Sequence, residues 1–429
     1  MTTGLRPARK EHIAMTKDTR KNEVEAKPEW DHLEEWLRRK MQKAIQEVLE
    51  DEVTEFLGRA KSQRRAAVDA VPGYRNGYGK QRRLTLSCGT VVLRRPRVRD
   101  IEERFESRLL PLFARRTKEV SDLLPQLYLH GLAEGDFDLA LRGLLGEEAP
   151  LSASTIARLK AKWQGEWETW NARRLDDLEP VYLWVDGVYV KAGLEKEKAA
   201  LLVVLAGLSD GRKVVLCVVP GHRESTASWA SVLRDLKARG LRCPKAVVGD
   251  GHLGIWGALR QVYPDAEEQR CWNHRFLNVQ DALPKKAQPA AKELLRKIAY
   301  APSRQAAEAA KGEFARWAKR GGYTVAARLL DEDWQRMVTF FNFPKEHWIH
   351  LRTTNPIESP FAALRLRTEA AKRYKSVPNA TALIWKMLLI AESRFRCLNA
   401  PNLLKEVYKG TRFVDGIKVN KHSAKKVAA

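Results

Sequence analysis

Asp186 stands inside VYLWVDGVYV (181–190), a run of strand formers, and Asp250 closes the short apolar run AVVGD (246–250). An ionised carboxylate in an apolar interior is costly unless it is paired or bound to a metal. Each aspartate precedes a glycine that lets a ligand approach the backbone, and two such carboxylates form an oxygen-rich site for a hard divalent cation. Taken singly, either aspartate reads as a turn or cap residue. Glu358, in RTTNPIESPFAALRLR (352–367), is the candidate third acid. It opens an amphipathic helix, where the helix dipole alone would stabilise it. Yet Arg352, Arg365, Arg367, Lys372, Arg373 and Lys375 surround it in the sequence, as expected of a metal ligand inside a phosphate-binding groove.

A second set is Cys271-Trp-Asn-His274, with His347-Trp-Ile-His350 following 73 positions after His274. Structural zinc needs four converging ligands, and each pair alone falls short. The reading favoured over zinc places His274 at the rim of the carboxylate site, positioning DNA or a water. His347 and His350 read as surface or core residues of a helical insertion.

Positioning these groups requires a sheet. VYLWVDGVYVK, AALLVVLAGLS and KVVLCVVPG are three successive strand-like runs. An amphipathic helix (STASWASVLRDLKARG), the strand AVVGD, a helix (HLGIWGALRQVY) and a strand ending near QRC follow. In the resulting β-β-β-α-β-α-β order the first and fourth strands are neighbours, so Asp186 and Asp250, 64 positions apart, meet at one edge. From Trp272 to about Phe343 the pattern is helical, with breaks at Pro284 and Gly321-Gly322. A last helical stretch runs from near Asn355 to about Arg396, interrupted around Pro378.

The rest of the chain speaks of its partner. Among 429 residues, 77 Lys and Arg oppose 53 Asp and Glu, a net charge of +24. Such an excess gains affinity by releasing counterions from a polyanion, although ribosomal and membrane-surface proteins share it. The N-terminus has no apolar core of signal-peptide length, and the longest apolar run, 199–208, is half a membrane span. Five scattered cysteines make no disulfide framework, so a reduced, cytoplasmic setting is expected. From Pro28 to about Arg65, apolar residues from Leu33 to Leu57 recur at helical spacing, one stripe to bury against a partner such as a second copy of the chain.

Residues 74–99 read as short β ribbons with turns at Asn-Gly and Cys-Gly; they carry eight basic residues and no acid. Arg75, Lys80, Arg82, Arg83, Arg94, Arg95 and Arg97 are its candidate phosphate contacts. Residues 117–175 have the length of a helix-turn-helix, with Ser152 or Ser154 as N-cap and Arg158, Lys160 and Lys162 on the second helix. Trp163, Trp167 and Trp170 form a stripe expected to be core.

WVDGVYVK, VVGDGHLGIWGAL, EQRCWNHRFLNVQDALPK and RTTNPIES, in this order with YRNGY before them, resemble bacterial insertion-sequence transposases of the Mutator superfamily. The resemblance covers about residues 70–400. It implies an RNase H-like mixed sheet carrying a DDE triad of Asp186, Asp250 and Glu358, interrupted by an α-helical insertion, with a Cys-x-x-His element at Cys271 and His274. The family usually continues past the glutamate with a basic helix bearing Arg and Asn, where this chain has Ser359-Pro360-Phe361. Expected cofactors are two Mg²⁺ or Mn²⁺ ions at Asp186, Asp250 and Glu358. Expected partners are the terminal inverted repeats, target DNA and a second or further subunits, with no membrane. The implied α/β organisation is multi-domain. It comprises an arm and long helix (1–66), a DNA-binding region (67–175), a first catalytic part (176–272), the insertion (273–344), a last catalytic part (345–400) and a basic tail (401–429). The implied reaction is hydrolysis at the element's ends followed by strand transfer. An RNase H-like resolvase and a catalytically dead DNA-binding regulator are the rival readings.

Overall fold

The computed structural model describes residues 29–65, 71–132, 136–145, 153–194, 197–221, 223–251, 253–371 and 373–419. The chain forms two compact units, 1–117 with 142–150 and 118–141 with 151–429.

In the first unit, helix α1 (Leu33–Leu57) packs on a hairpin of β1 (Tyr74–Leu86) and β2 (Gly89–Arg99). Leu49 of α1 packs with Leu84, Leu86, Val91 and Leu93 of the hairpin, while Val53 and Leu57 pack on Phe105. The Gln46 side chain both donates to and accepts from the Arg94 peptide, at 2.8 and 3.0 Å, and so covers part of the edge of β2. The α1 stripe is covered only in its C-terminal half, for Leu37 and Met41 are exposed. Asn76-Gly77 is not a turn. It is a bulge inside β1, where the register slips between Arg75 and Tyr78 and Gly77 takes a φ of 61°. The strand continues because pairing to β2 resumes beyond it, and the turn is Ser87-Cys88, closed by Gly89.

Helices α2 (Lys118–Leu129), α3 (Phe137–Leu145) and α4 (Ala153–Asn171) follow. Ser154 lies inside α4 and is no N-cap; Ser152 lies outside the described residues. The second unit is built on β3 (Pro180–Val190), β4 (Ala199–Leu208), β5 (Lys213–Gly221), β6 (Ala246–Gly249) and β7 (Glu267–Arg270), with α5 (Thr226–Ala238) before β6 and α6 (Leu253–Val262) after it. Their order is β5-β4-β3-β6-β7, with β3 to β5 antiparallel and β3, β6 and β7 parallel. The expected element order and the adjacency of first and fourth strands both hold in this mixed α/β sheet.

β3 is apolar almost throughout because it is buried on both faces. Leu183 and Val185 pack with Trp229, Leu233, Ile255 and Leu259 of α5 and α6. By strand alternation Tyr182, Trp184 and Asp186 point to the other face. Trp167 of α4 donates to the Val218 carbonyl at 2.9 Å, Trp170 meets Trp385, and Trp163 is buried, so the tryptophan stripe is core.

Between β7 and the Glu358 helix run α7 (Trp272–Asp281), α8 (Gln288–Ala299), α9 (Arg304–Arg320), α10 (Thr324–Glu332), α11 (Trp334–Met337) and α12 (Trp348–Leu351). They are followed by α13 (Asn355–Ala370), α14 (Val377–Glu392), whose first turn holds Pro378, and α15 (Pro401–Tyr408). Within the basic tail, residues 401–419 are described and form regular elements. Leu404 and Val407 anchor α15, and β8 (Phe413–Val414), held by the buried Phe413, pairs with β9 (Ile417–Lys418). The five cysteines are free. Among the described residues no helix is long and apolar enough to cross a membrane.

Candidate active site

Asp186 is not at the end of its strand. β3 runs on to Val190, because β4 keeps pairing with it from Asp186↔Val203 to Val190↔Ala199. The edge is made by the shorter neighbour: β6 pairs with β3 only as far as Trp184↔Val248 and stops at Gly249. Asp250 follows immediately, level with Asp186 across the parallel pair.

A third carboxylate joins them from a loop without motif or periodicity. Glu224, between β5 and α5, brings an oxygen within 4.8 Å of oxygens on both Asp186 and Asp250. Tyr189 of β3 donates to its Oε1 at 2.9 Å. Two glycines make the room. A Cβ on Gly187 would overlap the Glu224 carboxylate, and one on Gly254, in the first turn of α6, would overlap the Glu224 carbonyl oxygen. So Gly187 admits a side chain of the protein itself; the expectation that it opens the backbone to a ligand is corrected. Gly251 likewise faces the Arg270 guanidinium.

Burial pushes the Asp186 carboxyl up to about 7, aided by the charges of Asp250, Glu224 and Glu358, while the Gly187 N–H donated to Oδ1 at 2.7 Å opposes the rise. Clustered carboxylates with little counter-charge repel one another, and a divalent cation relieves that repulsion. The donor set therefore fits a hard metal ion.

Glu358 sits in the first turn of α13 and belongs to an adjoining cluster. Its oxygen lies within 4.8 Å of ligand atoms on Cys271 and His274, and 3.8 Å from His274 Nδ1. The Thr354 hydroxyl donates to Glu358 Oε1, and the Thr354 N–H donates to Cys271 Sγ at 3.3 Å. Cys271 is fully buried as the N-cap of α7. A hydrogen bond to Cys271, together with the charges of Cys271, Glu358 and Asp250, pushes His274 up to about 9 against the effect of burial. The two clusters feel each other, since Glu358 acts on Asp186 and Asp250 acts on His274.

His347 and His350 stand apart from this. His347 is buried beneath β3, with Nδ1 2.8 Å from the Tyr182 hydroxyl and Nε2 3.3 Å from the Ala400 carbonyl. His350 Nε2 accepts from the Asn399 N–H at 3.1 Å. His347 is a core group with both ring nitrogens occupied, and the half-buried His350 is held at Nε2.

The basic residues divide into tethered and exposed. Arg75 is held by Glu50 and Thr54, Arg82 by the carbonyls of Pro111 and Ala114, and Arg95 by that of Phe105. Lys80, Arg83, Arg94 and Arg97 are exposed, Arg97 with its Nε 3.5 Å from the Asn76 carbonyl. Arg158 and Lys162 are exposed on α4, the latter near Glu166. Arg352 is stacked among Tyr300, Phe340 and Trp348, Arg367 is buried against Tyr128, and Arg365 and Arg373 are exposed. Lys372 lies outside the described residues.

Residues 13–395 match the family model for transposases of the Mutator family. The chain is 46% identical over 298 residues to the transposase for insertion sequence element IS6120 of Mycolicibacterium smegmatis, covering 69% of this chain and 92% of that one. It is 40% identical over 283 residues to the transposase for element IST2 of Acidithiobacillus ferrooxidans, with 66% and 95% covered. Over 356 residues it is 31% identical to the transposase for element ISRM5 of Rhizobium meliloti (strain 1021), with 81% and 85% covered.

Proposed function

This chain belongs to the Mutator family of transposases, and from that premise we propose that it cuts and rejoins DNA at the terminal inverted repeats of an insertion sequence. Asp186, Asp250 and Glu358 are the acidic triad of an RNase H-like core, with Glu224 beside the first two. The observation that carries the reading is the convergence of Asp186, Glu224 and Asp250 at one edge of the sheet, with Glu358 close enough to raise Asp186.

Asp186, Asp250 and Glu358 would hold Mg²⁺ or Mn²⁺, two ions in all, which when bound supply charge to stabilise attacking and leaving oxygens. The protein's own groups do the rest. The Glu224 carboxylate, oriented by Tyr189, adds an oxygen to the site. His274, its Nδ1 3.8 Å from the Glu358 carboxylate, stands at the rim of the site, where it can position a phosphate oxygen or a water. Water attacks phosphorus at the element's end and a P–O bond breaks, leaving a 3′-hydroxyl. That hydroxyl attacks a phosphodiester of the target, one P–O bond forming as another breaks.

Two ends must be brought together, so subunits pair. Leu37, Met41 and Val48 support pairing through α1: all are exposed, and their spacing puts them on one helical face. Among the hairpin cations, Lys80, Arg83, Arg94 and Arg97 are the ones placed to follow a phosphate backbone.

The test is a purified-protein assay with Mg²⁺ on labelled inverted-repeat DNA, scoring nicking and joining separately. Both activities are expected. Nicking without joining would replace this reading with a resolvase-like nuclease, and binding without either would replace it with a regulator.

A further inference from the structure

Outside the carboxylate clusters, the second unit contains a small pocket of about 190 Å³ between α4, α13 and α14. Lys160, Arg367, Arg373 and Lys375 line it, and among the described residues no carboxylate does. Arg367 is only 3% exposed. Its guanidinium lies 4.0 Å from the centre of the Tyr128 ring and one terminal nitrogen donates to the Leu132 carbonyl at 3.2 Å, but its buried Nε has no partner. Tyr374, 7% exposed, has a buried hydroxyl that also lacks a partner. Its backbone is pinned: its N–H donates to the Lys191 carbonyl at 2.8 Å, and its carbonyl accepts from Gly193 at 3.0 Å.

A buried donor left unsatisfied costs about 1–3 kcal/mol, and such groups are few in native proteins. Two at one pocket, among cations and without an acid, call for an anionic acceptor with several oxygens. Burial pushes the Tyr374 phenol up to about 12, so it remains a donor at neutral pH.

We infer that this pocket binds one phosphate group of the DNA backbone, with Arg367 Nε–H and Tyr374 O–H donating to its oxygens and Lys160, Arg373 and Lys375 supplying charge around it. Arg367 lies nine residues beyond Glu358 on α13, about 13 Å along the helix. The phosphate held here is therefore a different one from that at the carboxylates, and the pocket fixes the strand's register there. The existence of the anion site stands on the pocket alone; its DNA source rests on the transposase reading.

The experiment uses the full chain without divalent metal and has two arms. In the first, thermal melting is followed as inorganic phosphate replaces chloride at constant ionic strength. Wild type should show a saturable rise in Tm, with the apparent affinity for phosphate falling about tenfold or more in Tyr374→Phe and in Arg367→Gln. Tyr374→Phe keeps the ring, so it separates a lost contact from a lost fold. In the second arm, the salt dependence of duplex binding is measured, and Arg367→Gln should lower the slope by about one. No phosphate effect in wild type would overturn the site. A phosphate effect with an unchanged DNA slope would overturn its assignment to the DNA backbone. Neither arm reads cleavage, so a failure here is distinct from a failure of the catalytic reading.

Discussion

Two aspartates of the second unit, Asp333 buried and Asp186 half-buried, have opposite surroundings. Asp333, at the end of α10, contacts the guanidinium groups of Arg270, Arg275 and Arg336. Burial alone would raise its carboxyl, yet these arginines hold it below the usual range. Asp186 is half-buried beside other acids and is pushed up to about 7. Burial is common to both; the sign of the neighbours differs. A carboxylate enclosed by counter-charge is already satisfied and ties elements together, here β7 and α7 to α10–α11. A carboxylate enclosed by like charge is unsatisfied until something cationic arrives, and that is where chemistry is expected.

Substitutions should separate the two sharply. Asp186→Asn, Asp250→Asn or Glu358→Gln should each lower cleavage by roughly a thousandfold or more, with end binding retained, as gel shift and labelled-end assays would record. In metal-free protein Asp186→Asn should also raise the melting temperature, because it removes a repelled charge. Asp333→Ala should do the reverse, leaving Arg270 and Arg275 without their carboxylate and Arg336 with Glu268 alone, and destabilising the fold by about 3–5 kcal/mol in urea denaturation. If Asp333→Ala proved neutral, or Asp186→Asn proved the more destabilising of the two, the contrast would collapse.

Much of this was legible in the sequence, because the strands around Asp186 and Asp250 carry unbroken apolar runs that fix the sheet order. Glu358 came from a motif whose neighbours could be recognised. Glu224 was not legible, since GHREST is a loop without periodicity. Its signal lay in Gly187 and Gly254, which only a three-dimensional arrangement explains as space for one side chain. Arg75, Arg82 and Arg95 misled in the other direction: in sequence they look like free cations, but acceptors 21 or more residues away claim Arg75 and Arg82, and a carbonyl 10 residues on claims Arg95. Asp333 reads in sequence as an ordinary helix-end acid, because its three partners come from different segments.

A smaller effect concerns a buried base. Burial holds His347 down at about 4, neutral between Tyr182 and Ala400. The unfolded chain takes up the proton first as pH falls below about 6.5, so stability should drop between about pH 6.5 and 4, by up to about 3 kcal/mol. Above that window His347 should contribute no pH dependence. Urea midpoints at pH 7.5 and 5 in wild type and His347→Gln would isolate the step; an equal drop in both would assign it elsewhere.

The central claim is that the acidic edge of the sheet is a metal-binding centre, and Mn²⁺ titration followed by electron paramagnetic resonance tests it most directly, before any DNA is added. Wild type should bind Mn²⁺, Asp186→Asn and Asp250→Asn should weaken that binding at least tenfold, and Glu224→Gln should weaken it less. Asp333→Asn, provided it folds, should leave it unchanged. Wild-type affinity in Asp186→Asn and Asp250→Asn would contradict the account.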